Sequence, residues 1–183
     1  MHSRAEVSSP APEDFQSMYR EHYPHIWRFL LHLGIRKSDV PDVTHNVFLI
    51  AYRKLSEFEH RSSIRTWLCG IALRVARGFL RSAAVRLEVS ATDLPVLDRV
   101  GSEDSFEVLR QDGQLQLAHR LLAALPSEQR EVFVLHELEQ MTGTEIAAVM
   151  GTSLGTVRSR LRRARESFRE QLAELAQKGV LDV

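Results

Sequence analysis

Residues Thr142–Arg169 read TGTEIAAVMGTSLGTVRSRLRRARESFR, and the way this stretch divides decides the fold. Thr142 and Glu145 form a T-x-x-E capping box, which fixes where a short helix begins. Ile146, Ala147, Val149 and Met150 supply that helix's buried side, and Gly151 ends it where a left-handed backbone is needed. Ser153 caps a second helix, whose Gly155 lies close enough to the start to be tolerated. Steps of about 100° per residue put Val157, Leu161, Ala164, Phe168, Leu172 and Leu175 on one stripe. The pattern is a helix-turn-helix. Gly155, Thr156, Ser159, Arg162 and Arg163 face away from the stripe at the amino-terminal end, the surface that enters the major groove in this motif. Arg158 and Arg165 flank the stripe and are placed for phosphates rather than base edges. Five arginines, Arg158, Arg160, Arg162, Arg163 and Arg165, fall in this acid-free run. A solvated face would mix charge signs more evenly, so the run points to nucleic acid.

The charge of the whole chain conceals this. The 183 residues carry 24 basic and 24 acidic side chains, a formal net charge of zero. Six arginines and no acid lie between Arg61 and Leu87, whereas Ala84 to Gly113 holds three basic and seven acidic residues. Two basic surfaces are therefore separated by an acidic segment. Cys69 is the single cysteine, which excludes an intramolecular disulfide and fits a reducing cytoplasm. No apolar stretch approaches a membrane span and no secretory signal opens the chain. Residues 1–12, containing SSPAP, read as a disordered tail.

Helical periodicity runs through the rest. Phe15, Met18, Tyr19, Ile26, Leu30 and Leu33 recur at helical intervals from about Pro12, with Pro24 expected to interrupt or kink the helix and Gly34 to close it. A second helix opens at Ser38 or Asp39, holds Pro41 in its first turn, and carries Val43, Val47, Phe48, Ile50, Ala51 and Leu55. A third, capped by Ser62 or Ser63, runs to about Arg81 with Ile64, Trp67, Leu68, Ile71, Val75 and Phe79 on its stripe. Arg74, Arg77 and Arg81 line up beside that stripe. The polar, acidic stretch from 84 to 113, with Pro95 and Gly101, reads as a linker. Periodicity resumes at Leu115, breaks at Pro126 and resumes through Val132, Val134 and Leu135. The expected architecture is all-α: two small helical domains, at 13–83 and 114–178, on a flexible acidic tether.

Two stretches carry a family likeness. Asp39–Arg81, DVPDVTHNVFLIAYRKLSEFEHRSSIRTWLCGIALRVARGFLR, resembles the second conserved region of the extracytoplasmic-function (ECF) sigma factors of bacterial RNA polymerase. Leu122–Leu172, LAALPSEQREVFVLHELEQMTGTEIAAVMGTSLGTVRSRLRRARESFREQL, resembles their fourth. The resemblance implies an alternative sigma factor that binds core polymerase, recognises −35 and −10 promoter elements and promotes melting. The −35 contacts would come from Ser153, Gly155, Thr156, Arg158, Ser159, Arg160, Arg162 and Arg163. The −10 contacts would come from Arg61, Ser62, Ser63, Arg65, Arg74, Arg77 and Arg81, a polar loop for an unstacked base with arginines for the backbone. Asp39, Asp42, His45, Asn46, Phe48 and Tyr52 would face the polymerase, although His45 and Asn46 stand where a Gln and an acidic residue are more usual. The linker would lie in the polymerase's active-site channel and RNA exit path. An anti-sigma protein would restrain the factor.

Trp27, Trp67 and Phe48 sit on apolar stripes and read as core. His22 and His25, with His32 beyond, lack a third placed ligand, so no metal or other cofactor is expected. No glycine-rich phosphate loop or nucleophile elbow is present, so the chain is not expected to be an enzyme. The competing reading is a helix-turn-helix regulator that binds paired duplex half-sites without polymerase.

Overall fold

The computed structural model describes residues 12–90 and 113–177, and among these the only regular structure is helical. The sequence-based tail, most of the linker and the last six residues lie outside them. The first half is a three-helix unit: α1 (Pro12–His32), α2 (Val40–Lys54) and α3 (Ile64–Ser90). Helix α1 continues through Pro24 instead of breaking there. Its end is set by Gly34 at φ +96°, with Gly34 N–H bonded to Leu31 O and Ile35 N–H to Leu30 O, the paired bonds of a Schellman stop. Helix α2 buries Val40, Val43, Thr44, Val47, Phe48 and Ala51 and leaves its other side to solvent.

Helix α3 starts where Ser63 Oγ accepts the Thr66 N–H at 3.0 Å. It buries Leu68, Cys69, Ile71, Ala72, Leu73 and Ala76. The helix runs to Ser90, beyond the end expected near Arg81. Residues 84–90 read as linker because they lead into the polar, acidic stretch that follows, but they hold no Gly or Pro to stop a helix already under way.

The second half comprises α4 (Gly113–Ala124), α5 (Ser127–Phe133), which runs into a π-turn at Val134–Leu138, then α6 (Gly143–Met150) and α7 (Leu154–Gln177). Thr142 and Glu145 close the expected capping box, and Gly151 takes the left-handed conformation at φ +63°. Ser153 Oγ accepts the Thr156 N–H at 3.1 Å. Val157, Leu161 and Ala164 are buried and Phe168 packs against the core, stacked on Phe133 at 4.9 Å.

The two halves are in contact, and their buried residues form one continuous cluster. Helix α6 lies over α3, where Val149 approaches Gly70; helix α4 lies beside α1, where His119 faces His32 with ring centroids 5.1 Å apart. Arg130 fastens the seam from inside. Its guanidinium donates to the carbonyls of Leu122, Ala123 and Leu125 at the end of α4 and to Leu33 O at the end of α1. Both helix ends leave carbonyls without intrahelical partners, so one cation serves two. The sequence suggests two modules joined by a flexible tether and leaves their arrangement open; in the structure they meet through a shared apolar cluster and through polar side chains.

Candidate nucleic-acid interface

On α7 the arginines divide by direction. Arg158, Arg162 and Arg163 are exposed together with Gly155, while Thr156 and Ser159 are half-buried on the same side. Arg162 also pairs with Glu166 one turn on, at 2.8 Å. Arg160 turns back to Glu128 at 2.5 Å, and Arg165 to Glu137 at 2.6 Å. These two brace α5 and its π-turn against α7, so Arg160 and Arg165 would have to leave their acids to reach DNA. The outward face near the helix start thus keeps three cations and two hydroxyls, the composition that contacts a major groove.

On α3 the distribution is different. Arg74 and Arg81 are exposed, and Arg74 folds along its helix to Gly70 O at 3.0 Å. Arg61 pairs with Glu59 at 2.6 Å in the loop before α3. Ser62 Oγ donates to Ser63 O, and Ser63 is occupied as the helix cap. The other two arginines meet acids from the second half. Arg77 forms a two-pronged bond to Glu131, 2.9 Å and 2.6 Å, and Arg65 reaches Glu139 at 3.0 Å. In sequence no acid lies between Arg61 and Leu87, yet in space the seam supplies two.

Electrostatics follow from these contacts. The Glu131 hydrogen bond holds the Arg77 guanidinium above its ordinary pKa against the opposing effect of burial. Burial alone would raise the Glu139 carboxyl, but hydrogen bonds and charge from His25 and Arg65 overcome it and hold the group below its usual range. Neither acid was expected to matter from sequence. Glu131 sits one turn before Leu135, on the buried side of its segment, which is the one local signal that it has a partner inside.

Helix α2 presents Asp42, His45, Asn46 and Tyr52 on its exposed side. Phe48 does not belong there. It is 2% exposed and packs edge-on against Tyr19 at 4.7 Å, which agrees with its reading as core and not with a place on the polymerase face. Asp39 is tied to Arg36 at 2.8 Å. Trp67 is half-buried against Phe58, in keeping with a packing role.

This arrangement of two helical units matches the conserved parts of one class of protein. Residues 18–86 match Sigma-70 region 2 and residues 115–168 match Sigma-70, region 4. The ECF RNA polymerase sigma-E factor of Escherichia coli strain K12 is 32% identical over 160 residues, covering 84% of each chain. The factor of the same description from Haemophilus influenzae is 30% identical over 153 residues, covering 80% of this chain and 81% of its own. The structure of CnrH in complex with the cytosolic domain of CnrY superposes with a TM-score of 0.68 at 26% identity, over 93% of this chain and 94% of that one. Sigma factor RpoE of Bartonella quintana, solved with the anti-sigma factor NepR, shares the fold at a TM-score of 0.71 and 23% identity, over 88% of this chain and 98% of that one. The chain belongs to the ECF group of sigma-70 factors, alternative sigma factors that recognise promoters in transcription initiation. No helix among the described residues is long and apolar enough to cross a membrane.

Proposed function

We propose that the two halves divide a promoter between them while core RNA polymerase performs the chemistry. The observation that carries this reading is the outward face of α7, where Arg158, Arg162 and Arg163 remain exposed inside the segment matched to region 4. Ser159 and Arg162 read bases of the −35 element, with Ser153, Gly155, Thr156, Arg158, Arg160 and Arg163 fitting the backbone. Arg61, Ser62, Ser63, Arg65, Arg74, Arg77 and Arg81 engage the melted −10 element, and the exposed side of α2 docks on polymerase. The chain supplies no catalytic group, acts in the cytoplasm and is restrained by an anti-sigma polypeptide, the kind of partner present in the Bartonella complex.

Promoter engagement requires the seam to open, because Arg65 and Arg77 cannot hold Glu139 and Glu131 and also bind phosphate. Alanine at Ser159 or Arg162 should lower promoter affinity by roughly 1–3 kcal/mol and relax preference at one base pair. Run-off transcription on a library of −35 variants measures this. Equal loss on every promoter would move these side chains to the phosphate backbone.

A further inference from the structure

Three donors of different chemistry converge at the seam from three elements. His25 belongs to α1, Cys69 to α3, and Glu139 follows the π-turn in the second half. His25 Nε2 lies 2.9 Å from Glu139 Oε2 and 3.5 Å from Cys69 Sγ, and Cys69 Sγ lies 3.9 Å from Glu139 Oε2. Among the described residues these three form the one group of His, Cys and acidic side chains with its ligand atoms so close together. All are sheltered: Cys69 is fully buried, and the side chains of His25 and Glu139 are 15% and 5% exposed.

The spacing can be compared with a real coordination shell. Tetrahedral zinc, with sulfur at about 2.3 Å and nitrogen or oxygen near 2.0–2.1 Å, has sulfur-containing edges of about 3.6 Å and a nitrogen–oxygen edge of about 3.4 Å. Each separation seen here is within roughly half an ångström of its counterpart. A buried cysteine that merely filled space would not need an imidazole and a carboxylate turned onto its sulfur.

We propose that His25, Cys69 and Glu139 form a binding site for a divalent zinc-class cation that clasps the two halves together. His25 binds through Nε2 as the neutral imidazole, Glu139 through one carboxylate oxygen and Cys69 as thiolate, its proton passing to bulk water. The charges of the cation, thiolate and carboxylate then sum to zero, which suits a sheltered position. A cleft of about 260 Å³, lined by Ser63, Thr66, Cys69 and Glu139 among others, gives the ion a path in and room for a water as fourth ligand.

Arg65 now supplies the positive charge beside Glu139, donating to its carboxylate and to His25 Nε2. Its side chain is 48% exposed and lines the same cleft, so it is free to swing outward when the cation replaces it. The clasp holds the halves closed and keeps Arg77 on Glu131. Under the reading proposed above, the metal is therefore a restraint on promoter opening.

The test uses full-length protein stripped with a chelator, then titrated with Co²⁺ and Zn²⁺. The expected result is one Co²⁺ per chain with a thiolate charge-transfer band and tetrahedral d–d absorption, displaced by one Zn²⁺. Cys69→Ser should abolish the band, and His25→Ala or Glu139→Gln should weaken Zn²⁺ by about tenfold or more. Circular dichroism of each metal-free variant confirms that it has folded. Should Cys69→Ser misfold, loss of affinity in the folded Glu139→Gln variant decides the matter. Cobalt spectra without the thiolate band, or Zn²⁺ affinity unchanged in the folded variants, would assign binding to surface histidines and overturn the proposal. In run-off transcription Zn²⁺ should inhibit the wild type and spare Glu139→Gln. Failure of all transcription would count against the promoter roles, while the cobalt spectrum judges the site independently.

Discussion

Arg77 and Glu131 show how much a single pair governs here. Glu131 is 8% exposed and its carboxylate has Arg77 as a two-pronged partner. Removing the acid leaves a half-buried guanidinium without its counter-charge. Glu131→Ala should therefore lower stability by roughly 1–3 kcal/mol, less than for a fully buried pair because Arg77 keeps some solvent. Urea unfolding with an unchanged m-value measures this, and no shift in midpoint would mean that solvent already screens the pair. His32 makes a second prediction. Its Nδ1 is buried without a hydrogen-bond partner, and burial, aided by His119, lowers its pKa from 6.5 to about 4. The unfolded chain binds the proton first, so stability is present above pH 6.5 and is lost as pH falls toward 4. The loss should reach roughly 2 kcal/mol by pH 5. His32→Gln should flatten that segment of the stability–pH curve; an equally steep curve would exclude His32 as the cause.

At the scale of elements, the helix boundaries that depend on neighbouring residues were legible in the sequence. Thr142 and Glu145, Gly151, Ser153 and Gly34 act where their spacing placed them, because caps and left-handed stops are local chemistry. Thr142→Ala should lose about 1 kcal/mol of stability through the uncapped start of α6. Gly151→Ala should cost about 1–2 kcal/mol, since φ +63° strains any residue with a Cβ. Thermal melts of both variants check these effects, and wild-type values would show the turn to be more yielding than its backbone implies. The far end of α3 was harder to place because no breaker marks it. The π-turn at Val134–Leu138 carries no sequence signal that separates it from ordinary helix. The seam was invisible for another reason. Arg77 and Glu131 are 54 positions apart, Arg65 and Glu139 are 74 apart, and nothing in helical periodicity pairs residues over such separations.

At the scale of the molecule, a neutral chain with two basic helices resolves its charge by folding the halves onto each other. The acids of the second half cover two arginines of α3, while α7 keeps its outward cations exposed. Region 4 should therefore be able to meet duplex DNA from the closed form, whereas Arg65 and Arg77 of the proposed −10 surface become free only after separation. Replacing both Glu131 and Glu139 with Gln weakens the seam charges and should increase the fraction of open chains, read as a larger radius of gyration in small-angle scattering. An unchanged radius would mean that the apolar contacts alone keep the halves closed.

The most direct measurement is run-off transcription from reconstituted core polymerase and this chain, with permanganate footprinting of the same complexes. The expected result is a discrete start site and unpaired thymines at the −10 element that appear only when the chain is present and diminish when Arg61 and Arg65 are replaced by Ala. A chain that protects a palindromic duplex by itself and gives polymerase neither a start site nor melting would contradict it.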